Sequence, residues 1–224
     1  MKGHFLWIAA CACLAISAEA QAKDDSQIWS TASATAKLSS RWRLSEELVT
    51  RFSDNRKGLY EIESNTLVGY RLSKVTTVWA GYTHNPQYAG GTFTIMEHRA
   101  REQLTFDGFA KLGPGKLSGR LRLEQRWRNG IAGTGWRLRP FLKYSLPVHG
   151  KTALNISSEP FIDFNTTTFQ RTRGLDRVRN LVTVSTPLTK TLTGEAGYMN
   201  QHGFVRGGED SSDNIAYFAV SLSL

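Results

Sequence analysis

After residue 13 the sequence contains no cysteine. Its two thiols, Cys11 and Cys13, both stand in the first apolar stretch. If that stretch is removed, disulfides, cysteine metal sites and a cysteine nucleophile are excluded together. Beyond the N-terminus there is also no uninterrupted apolar run of the roughly 18 residues a membrane helix requires. Nor does any segment keep the 3.6-residue apolar period of an amphipathic helix. Histidine is sparse, and none of the five residues falls at a His-x-x-x-His or other metal-ligand spacing. No metal, cofactor or catalytic residue is therefore expected.

Charge, in contrast, is plentiful. Lys and Arg number 28 against 19 acidic residues, a net +9 over 224 residues, and the mean hydropathy is -0.33. Such a balance admits polyanionic partners, but charge alone does not select one. The average hydropathy excludes a helical membrane protein and leaves a membrane barrel open, because every second residue of a barrel strand faces away from lipid.

Residues 1-22 read as a cleaved secretory signal: Met1-Lys2, an apolar stretch from Phe5 to Ile16, and small-x-small sites at Ala18-Glu19-Ala20 or Ala20-Gln21-Ala22. A lipoprotein box at Ile8-Ala9-Ala10-Cys11 is the rival reading. It leaves little apolar sequence before the cysteine.

From Gln27 onward the dominant period is two. In 116-129, Leu117, Leu121, Leu123 and Trp127 lie opposite Arg120, Arg122, Glu124, Arg126 and Arg128, and 134-147 repeats the design with Arg137, Arg139 and Lys143 on the polar face. A face so charged cannot line a dry core. Eleven candidate strands follow: 27-38, 41-53, 58-73, 75-85, 93-111, 116-129, 134-147, 151-164, 173-187, 190-201 and 214-224. Most exceed the five or six residues usual in soluble domains. Tight connections alternate with longer ones at 54-57, 86-92, 130-133, 165-172 and 202-213, the pattern of barrels with short periplasmic turns and long outer loops. A lipocalin-like or sandwich fold also alternates. Strand length, charge of both signs on one face, and the final strand 214-224 argue against it. That strand carries Ala216, Phe218, Val220, Leu222 and Leu224 on one face, a form read by the barrel assembly machinery.

The expected fold is all-β, an antiparallel transmembrane β-barrel over 41-224. Since a bacterial barrel favours an even count with both ends periplasmic, the first candidate is dropped to leave about ten strands; the alternative is twelve. The Ser, Thr and Ala-rich stretch 23-40 then becomes a separate N-terminal segment.

Several short elements carry a family likeness. Trp42-x-Leu44-x-x-Glu47-x-x-x-Arg51, Gly69-Tyr70-Arg71-Leu72, Ala80-Gly81-Tyr82, Glu97-x-Arg99-x-x-Glu102-Gln103, Arg120-x-Arg122-x-Glu124-x-Arg126, Arg137-x-Arg139 and Gly197-Tyr198-Met199 resemble a family of Gram-negative outer-membrane proteins known only as a domain of unknown function, DUF2490. The resemblance implies a barrel and the bacterial outer membrane. It implies no activity.

The candidate site is the polar face: Arg43, Glu47, Arg51, Glu97, Arg99, Arg101, Arg120, Arg122, Glu124, Arg126, Arg128, Arg137, Arg139, Lys143, Glu159, Asp163, Arg177, Arg179 and Glu195. Opposed side chains of opposite sign stabilise strand pairs, and guanidinium binds carboxylate in a bidentate fork. Two readings stand: a structural network filling the lumen, or a narrow porin-like channel for a small anionic solute. A rival from another class is an enzyme acting on lipid or peptide at the outer rim, using His84 or His202 with Asp54, Glu209, Asp210 or Asp213. Trp42, Trp79, Trp127, Trp136, Tyr82, Tyr144 and Tyr198 are expected at the lipid-water interface. Lipid and lipopolysaccharide are the expected surroundings. Nucleic acid is not expected, because the arginines alternate with lipid-type residues.

Overall fold

A computed structural model describes residues 23-224; the signal and lipoprotein readings lie outside them. Eleven strands follow one another: β1 Lys23–Lys37, β2 Trp42–Ser53, β3 Gly58–Arg71, β4 Thr76–Ala89, β5 Thr92–Leu112, β6 Gly115–Arg128, β7 Ile131–His149, β8 Thr152–Asp163, β9 Gly174–Pro187, β10 Leu192–Gly203 and β11 Ser211–Ser223. They close into one barrel in which each strand pairs with its sequence neighbour and β1 meets β11. The all-β barrel is therefore present. It has eleven strands, one more than the even count favoured above.

The extra strand is the segment expected to stand apart. Residues 23-37 form β1, antiparallel to β2 and parallel to β11 from Lys23↔Ser211 to Thr35↔Ser223. The parallel pair follows from counting. In a meander successive strands reverse direction, so the first and eleventh run the same way and must close in parallel. Small outward side chains on β1 give it little strand signature, yet backbone pairing on both edges holds it.

The connections after β1, β3, β5, β7 and β9 lie at one end of the barrel, as expected. At the other end, two expected loops shrink. β4 and β5 run on to a hairpin through Gly90-Gly91, whose φ values of 55° and 78° suit a tight turn that side chains would strain. Likewise, β6 and β7 are joined only by Asn129-Gly130. Longer connections remain at 54-57, 164-173 and 204-210.

Burial is inverted relative to a water-soluble domain. Among the described residues 27 polar or charged side chains are buried against eight apolar ones, while 29 large apolar side chains are exposed. The outward row runs around the wall through Ile28, Leu48, Val68, Val78, Leu121, Leu142, Ile156, Val182, Tyr198 and Phe218. Alternate residues of each strand thus put apolar side chains outside and polar ones inside. One interface aromatic is corrected. Trp79 shares the inward parity of Thr77 and Thr83, packs across Gly69 and donates from Nε1 to Thr105 Oγ1 at 3.1 Å. Alternation decides the face, and nearness to a strand end does not.

Candidate functional site

Inward residues of β2, β3 and β5 to β9 form an ion-pair lattice with a smaller, separate cluster beside it. The register sets arginine opposite arginine twice, Arg99↔Arg126 and Arg122↔Arg139. Like charges directly opposed would repel. Carboxylates on the diagonals resolve this. Glu97, fully buried, accepts from Arg99 Nε at 2.8 Å, Arg126 Nε at 2.9 Å and Arg128 Nε at 2.7 Å. Glu124 accepts from Arg139 Nη1 at 2.8 Å and lies 3.3 Å from Arg101 Nε. Across β2 and β3, Arg51 reaches Glu61 at 2.6 Å and Glu63 at 3.1 Å, and Glu63 also takes Arg99 at 3.0 Å and Arg101. On the opposite wall Glu159 pairs with Arg139 at 2.9 Å and with Arg120. Apart from these, Arg137 binds Asp163 at 2.6 Å and lies 3.6 Å from Asp176, which binds Arg177 at 2.7 Å.

At mid-height, arginines and aromatic rings alternate across the bore. The Arg51 guanidinium lies 4.3 Å from the Trp29 ring centre, Arg179 lies 4.6 Å from Trp29 and 4.5 Å from Phe161, and Arg139 lies 4.2 Å from Phe161. Guanidinium faces stack on rings while their edges remain free to hydrogen-bond. Two cavities meet at this stack and share Trp29, Arg51, Arg139 and Arg179 in their walls. The larger, about 550 Å³, opens towards the long-loop end. The smaller, about 210 Å³, lies towards the short turns and is bordered by Arg120, Arg122 and Lys143.

The connection 164-173 folds onto the mouth of the larger cavity. Its Gln170 is buried, donating to Trp136 O at 3.1 Å and Asn165 O at 2.9 Å and accepting from Arg126 Nη1 at 3.3 Å. Gly135 makes room: a Cβ there would stand 2.6 Å from Gln170 Oε1. Beside it, Phe169 lies 4.9 Å under the Arg128 guanidinium.

Most of the sequence-selected face thus converges. Arg51, Glu97, Arg99, Arg101, Arg120, Arg122, Glu124, Arg126, Arg128, Arg139, Glu159 and Arg179 share the lattice through the contacts above and the looser pairs Arg122–Glu124 and Arg179–Glu159, while Arg137, Asp163 and Arg177 meet in the separate cluster. Glu47 and Glu195 face inward but bind Asn65 Nδ2 and the Thr183 hydroxyl in place of arginine. Arg43 stays outside the lattice and donates to the backbone oxygens of Ser39 and Trp42. Lys143 lines the smaller cavity with no ion pair among the described residues.

Sequence reasoning missed Glu61, Glu63 and Asp176, together with Trp29 and Phe161. The alternation Glu61, Glu63, Asn65 carried the signal for the first two. A bulge between Arg51 and Phe52 obscures their pairing with β2.

The histidines do not converge. His84 and His98 point outward, 5.9 Å apart, with His98 bonded to Tyr82 and Asn129. His202 meets Asp210 at 3.0 Å. Among the described residues no group of three or more His, Cys, Asp and Glu could hold a metal.

Comparison with known proteins agrees with the sequence likeness. Residues 26–212 match the family described as Protein of unknown function (DUF2490). An uncharacterized protein of Methylorubrum extorquens is 26% identical over 182 residues, covering 80% of this chain and 77% of that protein. No solved structure matches.

Proposed function

This chain belongs to the DUF2490 family, and from that premise we propose that it is a bacterial outer-membrane barrel whose interior is a narrow, anion-preferring passage. The observation that carries the reading is the inversion of burial: apolar side chains cover the wall and the charges are enclosed. In water that wall would be a large exposed apolar surface, which soluble monomers avoid. In a bilayer it is the matching surface.

The order of charges supports the anion preference. Arg139 and Arg179 border both cavities, so an anion leaving the larger one meets guanidiniums that also face the smaller one. Successive sites of moderate strength favour conduction, because an ion must enter and also leave. The arginine and ring stack keeps the bore narrow.

Two measurements test the reading. Membrane fractionation should place the protein in the outer membrane with heat-modifiable gel migration. Folded protein in planar bilayers should give small conductance steps with anion selectivity. Recovery as a water-soluble monomer would overturn the location, and a silent bilayer would overturn the passage.

A further inference from the structure

The larger cavity is lined by ten arginines and only four carboxylates, Asp25, Glu61, Asp176 and Asp213. Glu97, which neutralises part of this charge, sits fully buried behind the guanidiniums and not on the cavity wall. A concave, low-dielectric wall with surplus cations concentrates anions.

Three of these arginines are held in the same way. Arg128 gives its Nε to Glu97 at 2.7 Å, Arg177 to Asp176 at 2.7 Å and Arg179 to Gln201 at 2.7 Å. Each guanidinium also lies by a ring: Arg128 by Phe169 at 4.9 Å, Arg177 by Phe161 at 5.7 Å and Arg179 by Phe161 at 4.5 Å. One edge and one face are thereby fixed, and the terminal nitrogens are left. Among the described residues no hydrogen bond reaches the Nη atoms of these three. Arg179 Nη1 lies 4.0 Å from Glu159, beyond hydrogen-bond distance. Arg56 and Arg171 border the same cavity with no ion pair among the described residues. Oriented terminal N–H pairs suit bidentate binding of phosphate or carboxylate.

We infer that this cavity is a seat for a small soluble oxyanion bearing two or more phosphate or carboxylate groups, held by Arg128, Arg177 and Arg179. The inference rests on the anion-preferring reading and supplies its ligand class. About 550 Å³ falls within the usual size of a small-molecule site.

The test uses the folded barrel in detergent micelles, so it does not depend on where the protein resides or whether it conducts. Calorimetric titration at low salt uses pyrophosphate, tricarballylate and, at matched ionic strength, acetate. Pyrophosphate and tricarballylate should bind at least about tenfold more tightly than acetate. Arg177→Gln combined with Arg128→Gln should weaken pyrophosphate by about tenfold or more, because each removes a charged donor pair. If that pair fails to fold, Arg56→Gln with Arg171→Gln, which breaks no ion pair, should still weaken binding severalfold. Lys190→Gln, in the turn before β10, should leave it unchanged. Equal affinity for acetate and pyrophosphate, or binding untouched by both arginine pairs, would overturn the inference. Displacement of pyrophosphate by lipopolysaccharide would overturn it too, by assigning the seat to a lipid headgroup.

Discussion

Arg179 lies 4.6 Å from the ring centre of Trp29, joining β9 to β1 across the interior of the barrel. Neither residue is near the other in sequence, and each also touches the next member of the stack. Trp29→Ala should therefore merge the two cavities and raise single-channel conductance. It should also lower stability to urea by about 3–5 kcal/mol, the usual cost of removing a buried large aromatic. Unchanged conductance from folded protein would show that the stack is not the narrowest point.

Glu97 serves three guanidiniums at once. Glu97→Gln leaves them mutually repelling in a buried site, and unfolding in detergent should show a loss of about 3–5 kcal/mol. Asp107→Asn, exposed at the short-turn end, should change stability by no more than about 0.5 kcal/mol.

The closure of the barrel can be checked chemically. Ser33 and Ser221 are register partners on the parallel strands β1 and β11, with hydroxyls 3.1 Å apart. Residues 23-224 contain no cysteine, so Ser33→Cys with Ser221→Cys gives a clean disulfide test at a spacing that paired strands permit. Oxidation should join the two ends in folded protein and not in urea. A ten-strand barrel with a detached N-terminal segment would not cross-link.

Gly69 and Trp79 should be coupled. A Cβ at position 69 would lie 2.5 Å from the Trp79 ring, so Gly69→Ala should destabilise by about 1–3 kcal/mol through overpacking. Trp79→Leu should be destabilising alone yet relieve the alanine variant. Additive costs in the double-mutant cycle would contradict this contact.

Acid should open the 204-210 connection. The Val205 N–H donates to Asp210 and, with His202, holds its carboxyl below the usual range. A lowered folded pKa means the contribution is complete above the unfolded value and is lost as pH falls through the folded one. Protease cleavage within 204-210 should rise below the carboxylate range, and Asp210→Ala should show the same cleavage at every pH.

The period of two was enough to place Arg99, Arg101, Glu124 and Arg139 on one face, because alternation in a strand is local geometry. It was also enough to make that face an interior, since no lipid-facing or water-facing wall would bury so many charges of both signs. Which arginine meets which carboxylate was not legible. That depends on register, and bulges such as those after Arg51 and Phe161 shift register by amounts no single strand encodes.

The sequence by itself determined a barrel with an apolar wall and a charged interior. Only the tertiary structure decided that residues 23-37 complete it, because ring closure is a property of the last strand meeting the first and β1 carries little signal of its own. It likewise decided that Trp29 and Phe161 enter the interior and divide it. Trp29 and Arg179 stand three strands apart around the wall and have no sequence relation until the sheet curves far enough to bring them face to face.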